Sequence, residues 1–172
     1  DTEHVTARQT AVLFDSVKLA ESNLNRYVQR NEEKIAEIKR VDKIINHFNN
    51  LTTEDVSQAQ LDKFTTEQLA SIDPTDPLAE EMTRTKKTKE ALAYMQTTHG
   101  LEYPSRLPDD EKKEALIKSL NNINQDLSHD GEMIQMEYTQ AKNNFDNKIQ
   151  LLSTFLADFK RIIDKIIEKM GR

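Results

Sequence analysis

One repeat restricts this chain more than any other feature. From Ile149 the large apolar residues fall at Ile149, Leu152, Leu156, Phe159, Ile163, Ile166 and Met170, at steps of 3, 4, 3, 4, 3 and 4. A strand would need steps of two; these steps place one stripe along a helix, close to the coiled-coil period. The stripe extends upstream through Leu116, Leu120, Ile123 and Leu127, then polar Asp130, then Ile134, Tyr138, Ala141 and Phe145. A second stripe occupies the first third of the chain. It runs through Val17, Ala20, Leu24, Val28, polar Asn31, Ile35, Ile38, Val41, Ile45 and Phe48. Its flanks are charged (Arg30, Glu32, Glu33, Lys34, Glu37, Lys39, Arg40), a mixture that solvates a helix and stabilises it weakly through i,i+4 pairs.

The two stripes predict long helices over 6–49 and 109–170, the first extending about 65 Å. Either helix alone is marginal, because helix stability comes mostly from packing the stripe. The expected fold is therefore all-α: an elongated antiparallel coiled-coil hairpin of two long helices with a small helical insertion between them. All 172 residues form a single elongated helical domain in this reading. The expected coiled-coil core is Leu24, Val28, Ile35, Ile38, Ile45, Leu152, Leu156, Phe159, Ile163 and Ile166, with Leu24, Ile35, Ile38 and Ile45 packed against apolar positions of the last helix. Asn31 reads equally as an exposed polar position or as a register-setting core residue. The run Ser128-His129-Asp130-Gly131 allows either a kink or a continuous helix, since a helical Gly costs about 1 kcal/mol.

Composition agrees with this architecture. Only 3 Gly and 4 Pro argue against a sandwich or barrel of many short strands. The absence of Cys excludes disulfides, thiolate metal sites and a Cys nucleophile. A net charge of −6 argues against a general nucleic-acid surface. The excess sits in the middle: residues 51–110 carry 12 acidic and 6 basic groups, whereas 1–50 carry 8 of each and 111–172 carry 10 of each. No apolar run approaches the roughly 20 residues that a spanning helix needs. No charged–apolar–small leader opens the chain, and Asp1 is not an initiator Met, so the natural start is expected to be truncated or processed.

The insert over 50–108 is broken up. Thr65-Thr66-Glu67-Gln68 reads as a capping box opening a short helix. Asp73-Pro74-Thr75-Asp76-Pro77 is a turn that separates helices. A further helix is expected over 78–98, ended by Gly100. Its centre, Thr83-Arg84-Thr85-Lys86-Lys87-Thr88-Lys89, is too polar to be buried all round. The stretch 103–108 is extended or looped, and Pro108 suits a helix start.

The residues that carry chemistry form no familiar constellation. His4, His47, His99 and His129 lack the i,i+4 spacing of a zinc-binding helix. Asp126 and His129 make one carboxylate-x-x-His pair, where a di-metal bundle needs two such motifs. His47 reads as a boundary residue on the flank of its stripe. Asp73, Asp76, Asp109 and Asp110 do not match a calcium loop. No phosphate-binding Gly-rich loop or nucleophile elbow is present. The basic cluster Arg84, Lys86, Lys87 and Lys89 reads as a solvated helix face, flanked by Glu80, Glu81 and Glu90, rather than a phosphate or acidic-lipid site. Asn50-Leu51-Thr52 fits a glycosylation sequon, with Thr52 equally a helix cap. No enzyme, no cofactor and no metal are expected.

The end of the last helix carries more apolar surface than one partner can cover. Leu151, Phe155, Ile162 and Ile167 lie beside the main stripe, since successive helix residues are rotated by about 100 degrees. One antiparallel partner should cover the stripe and leave this flank for another molecule, unless the insert folds back over it.

The stretch from Glu137 to Leu156, through Tyr138, Ala141, Phe145, Ile149 and Leu152, ends in the pairs Ile162-Ile163 and Ile166-Ile167. It resembles the closing helix of the hydrophilic translocator proteins of bacterial type III secretion systems, the needle-tip and EspA/SseB-like filament proteins. The segment Ala91–Gln96 before a Gly turn, and the first helix around Ala20 to Leu51, are similar in placement. About two-thirds of the chain is covered. The chain is shorter than typical tip proteins, and its middle is more charged than that of the filament proteins. The resemblance implies a secreted structural protein at the bacterial cell surface, built on a coiled coil of first and last helices. It implies a homo-oligomer that links the needle subunit to translocator proteins, with a cytosolic secretion chaperone on the C-terminal helix before export. The alternative reading is an intracellular coiled-coil adaptor or scaffold that pairs with a partner helix. A membrane-acting toxin component would need a hydrophobic hairpin, which these residues lack.

Overall fold

The computed structural model of the protein describes residues 2–171, with side chains from residue 7 onward. The His4 side chain lies outside the described residues. Among the described residues, five α-helices follow in order: α1 Thr2–Asn49, α2 Gln58–Leu61, α3 Thr66–Ala70, α4 Ala79–His99 and α5 Asp109–Met170. A 3-10 turn, Glu54–Val56, lies between α1 and α2. The described residues contain no strand. The long helices α1 and α5 pack against each other, as an all-α hairpin requires. Helix α5 is continuous through Gly131.

Local chemistry explains the boundaries. Thr65 caps α3 with a reciprocal box: its hydroxyl accepts from Gln68 N–H at 3.1 Å, and the Gln68 side chain accepts from Thr65 N–H at 2.8 Å. Gly100 ends α4 in the left-handed conformation (φ 67°), which an L side chain rarely adopts. Its N–H donates to the Gln96 carbonyl at 3.2 Å, and Leu101 N–H donates to the Met95 carbonyl at 3.1 Å, so two terminal carbonyls are satisfied. Three acids, Asp109, Asp110 and Glu111, occupy the first turn of α5 and complement its dipole.

The chain divides into two compact units. One comprises residues up to Ile35 together with those from Asp130 onward; the other is Ala36–His129. The second unit has a three-helix core. Val41, Ile44, Ile45 and Phe48 of α1 meet Ala91, Leu92 and Met95 of α4 and Leu116, Leu120 and Leu127 of α5. Leu51, Val56, Leu61 and Leu101 from the connections close it. A satellite cluster of Phe64, Leu69 and Met82, with Ile72 beside it, anchors α3.

The first unit holds the two-helix part. Arg30 pairs with Glu137 at 3.8 Å and Lys34 with Asp130 at 3.9 Å, so the numbers fall along α5 as they rise along α1 and the helices are antiparallel. Both pairs are long and lie at the surface, Lys34 being half-buried, and they contribute little to stability. Ala20, Ile134 and Leu152 are buried here, while Leu24, Val28, Tyr138, Ala141 and Phe145 are half-buried. Asn31 is half-buried as well.

The expected coiled-coil core needs correction at Ile35 and along the end of α5. Ile45 is buried and Ile38 packs half-buried against the core of the second unit. Ile35, Leu156, Phe159, Ile163 and Ile166 are exposed instead. For the α5 positions the reason is the number of facing helices: this part has two helices, which cover a single line of contact, and no third helix closes it as α4 closes the second unit.

Candidate functional site

Two surfaces stand out, one in each unit. In the first unit, the last four turns of α5 are exposed on every side. Leu151, Ile162 and Ile167, the flank expected to meet another molecule, are 53%, 56% and 61% exposed. Phe155, the fourth, is half-buried. The expected contrast between a covered stripe and a bare flank ends at Leu152, which is 8% exposed. Beyond it Leu156, Phe159, Ile163 and Ile166 join the flank in one apolar surface, with Met170 at its end. Arg161 and Asp158 form an exposed i,i+3 pair at 2.9 Å beside it.

In the second unit, polar groups missed by periodicity tie α4 to α1. Thr85 and Thr88, in the polar centre of α4, are buried. The Thr88 hydroxyl donates to the Arg84 carbonyl at 2.8 Å and lies 2.9 Å from His47 Nε2. With that one proton already used, His47 carries its own proton on Nε2 and donates to Thr88. Burial lowers the His47 pKa, and the neighbouring Lys87 and Arg84 cations add to this against the opposing pull of Asp55. Thr85 accepts from Gln60 Nε2 at 3.1 Å, and the same amide donates to Glu81 at 3.0 Å. Lys63 also pairs with Glu81, at 2.6 Å.

Further along the same helices, the Glu37 carboxylate accepts from the Tyr94 hydroxyl and from His99 Nε2 at one oxygen. Burial pushes the Glu37 carboxyl up, but these two bonds, with the His99 and Arg40 charges, outweigh it and hold it below the usual carboxylate range. Burial and the Glu37 acceptor push the Tyr94 phenol up. The Arg40 guanidinium lies over the Tyr94 ring, 3.6 Å from its centroid. His99 and His47 were visible in the sequence only as lone histidines. Their partners are 62 and 41 residues away, so no local pattern connects them.

The structure does not bring the remaining polar candidates together. Asp126 and His129 are both exposed. Among the described residues no group of three or more His, Asp or Glu side chains could hold a metal ion. Asp73 instead accepts from the Thr75 N–H and hydroxyl within its own turn, at 2.9 and 2.8 Å. Asp109 pairs with Lys112 at 3.0 Å. Thr52 and Asp55 bond reciprocally around the 3-10 turn, which makes Thr52 a cap. Among the described residues no helix is long and apolar enough to cross a membrane. No protein-family model, curated protein or solved structure matches the chain.

Proposed function

We propose that this protein is a structural component that works by assembly, through the apolar end of α5. The observation that carries the reading is the surface formed by Leu151, Ile162 and Ile167 together with Leu156, Phe159, Ile163 and Ile166, all exposed on one helix. Fully burying a large apolar side chain is worth roughly 1.5–3 kcal/mol relative to water. Half-exposed residues recover only part of that, and association costs reduce it further, yet seven such residues on one rigid helix favour a partner. A second copy of the chain offers a matching 3–4 stripe.

The resemblance to hydrophilic translocators of type III secretion supports a specific setting for this assembly. In that setting the protein is a secreted needle-tip or filament component that links the needle subunit to translocators, and a chaperone covers α5 before export. Catalysis has no part in the reading.

Ile162→Asp with Ile166→Asp tests the assembly claim, because both side chains are exposed and the single chain should keep its helicity. Light scattering should show a larger species for the unaltered protein and a monomer for the variant. Equal masses for the two proteins would defeat the claim. Export tests the setting: the protein should reach the medium from cells with a working type III apparatus and stay inside when the apparatus is disabled. Retention in both cells, with a helical partner recovered on α5, would favour the intracellular adaptor.

A further inference from the structure

The buried face of α4 changes character halfway along. Met82 belongs to the satellite cluster with Phe64 and Leu69, whereas Ala91, Leu92 and Met95 belong to the main core. Between them, at helical spacing, lie Thr85 and Thr88, both buried. A polar layer thus separates two apolar clusters on one helix.

The ties across this layer are polar. His47 of α1 donates to Thr88, Gln60 of α2 donates to Thr85, and Asp55 of the 3-10 turn pairs with Arg84 at 3.2 Å. Opening an apolar cluster exposes hydrocarbon to water, whereas opening a polar layer exchanges its hydrogen bonds for bonds to water at small net cost. The backbone can yield here too, because a Thr hydroxyl on an i−4 carbonyl, as Thr88 has on Arg84, favours bending of a helix. The last turns of α4 are held differently, by the main core and by Glu37, which accepts from Tyr94 and His99. His99 donates through Nε2 in its neutral and its protonated form, so acid leaves that bond in place.

From this arrangement we infer that the polar layer is an acid-operated latch: a proton taken up by His47 lets the first half of α4, with α3, part from α1 while the last turns of α4 stay in the core. An imidazolium at His47 is half-buried between the two helices, and parting them returns it to water. Lys87 and Arg84 of α4 oppose the added charge and Asp55 favours it, while Arg40 and Lys43 of α1 and Glu80 and Glu90 of α4 line the clefts on either side. Burial is the largest of these influences and holds the His47 pKa below its ordinary value of 6.5. Asp55 and Glu81 are held below the usual carboxylate range, so His47 is the first of the three to gain a proton in the opened form as pH falls. The closed form therefore has its full advantage above pH 6.5 and loses it as pH falls through the lower, folded value.

The chain has no Cys, so one introduced thiol reports one position. Thr85→Cys places it in the polar layer and Ala91→Cys in the main core on the same helix. Labelling by 4,4′-dithiodipyridine, divided by the rate of an unstructured Cys peptide at the same pH, measures opening. From pH 7.5 to pH 5 the Thr85→Cys rate should rise about tenfold for each unit by which burial depresses the His47 pKa. It should exceed the Ala91→Cys rate at both pH values and depend less on urea, since a local opening exposes less surface than global unfolding. Adding His47→Gln retains a donor for Thr88 but no titrating ring, and should abolish the rise. The unaltered protein gives a second reading: amide exchange over 82–88 should outpace that over 91–95 at pH 5. No rise with acid, a rise that survives His47→Gln, or equal rates and urea slopes at the two thiols would overturn the latch, the last by showing that the unit opens as a whole. Equal amide exchange over the two stretches would overturn it as well.

Discussion

The two units contain the same two helices, yet they bury their stripes to very different depths. In the second unit Val41, Phe48, Met95, Leu116 and Leu120 are completely inaccessible. In the first unit the corresponding stripe leaves Leu156, Phe159 and Ile163 between 37% and 41% exposed. Side-chain type does not explain this, since both regions are rich in Leu, Ile and Phe. The number of facing helices does. Two helices cover a single line of contact, whereas a third, α4, closes the second unit from another side. A periodic stripe thus marks what a helix can bury, and the neighbours decide how much it does bury.

The sharpest way to break this comparison is to truncate one Leu in each region. Leu120→Ala should cost about 2–5 kcal/mol in urea unfolding, the range for a buried Leu that leaves a cavity. Leu156→Ala should cost less than about 1 kcal/mol when measured on the monomer. Similar losses for the two would mean that α5 is covered at Leu156 in solution and that the contrast between the units is false.

A smaller effect concerns threonines on the two helices. Thr88→Val keeps the shape but removes the acceptor of His47 Nε2, and should cost about 1 kcal/mol. Thr139 sits in the first unit, exposed, with its hydroxyl on the Gln135 carbonyl at 3.0 Å. Thr139→Val should change stability by less than about 0.5 kcal/mol. Thermal melts of the two variants make the comparison, and a neutral Thr88→Val would remove the polar tie between α1 and α4.

The mildest prediction is acid sensitivity of the second unit. His47, Glu37 and Asp55 have folded-state pKa values below their ordinary values of 6.5, 4.5 and 3.8. For Asp55, burial raises the carboxyl, but bonds from Thr52 and the Arg84 charge more than reverse it. In each case the unfolded chain binds the proton more readily. The contribution is therefore present above the unfolded-state value and is lost as pH falls through the folded one. Stability should begin to decline below about pH 6.5 through His47 and fall further below about pH 4.5 through the carboxylates. Hydrogen exchange corrected for intrinsic rates should show residues 41–48 losing protection between pH 7 and pH 5. His47→Gln should remove the first step, and an unchanged pH profile in that variant would show that His47 does not cause it.

Much of the fold was legible along the chain because its determinants are local. The Thr65–Gln68 box, the Gly100 stop and the 3–4 steps each act within a few residues, and each appears where the pattern places it. The polar centre of α4 was harder. Its basic cluster indicated a solvated face; Arg84 and Lys87 are exposed, but Lys86 and Lys89 are half-buried and Thr85 and Thr88 are buried. A Thr on a helix can satisfy its own hydroxyl at the i−4 carbonyl, as Thr88 does at Arg84, so burial carries little polar cost and leaves no mark in hydropathy.

Sequence alone determined that this protein is helical, where α1 ends, where α5 begins and ends, and which face of each is apolar. Those properties follow from backbone geometry and from residues near one another in the chain. Only the tertiary structure decided that α4 joins α1 and α5 in one core, that His47 and Glu37 find partners more than 40 residues away, and that the end of α5 stays exposed. The reason is physical: a stripe specifies a surface to be buried, whereas burial depends on what faces it across space, and a third helix closes the second unit where the first has two.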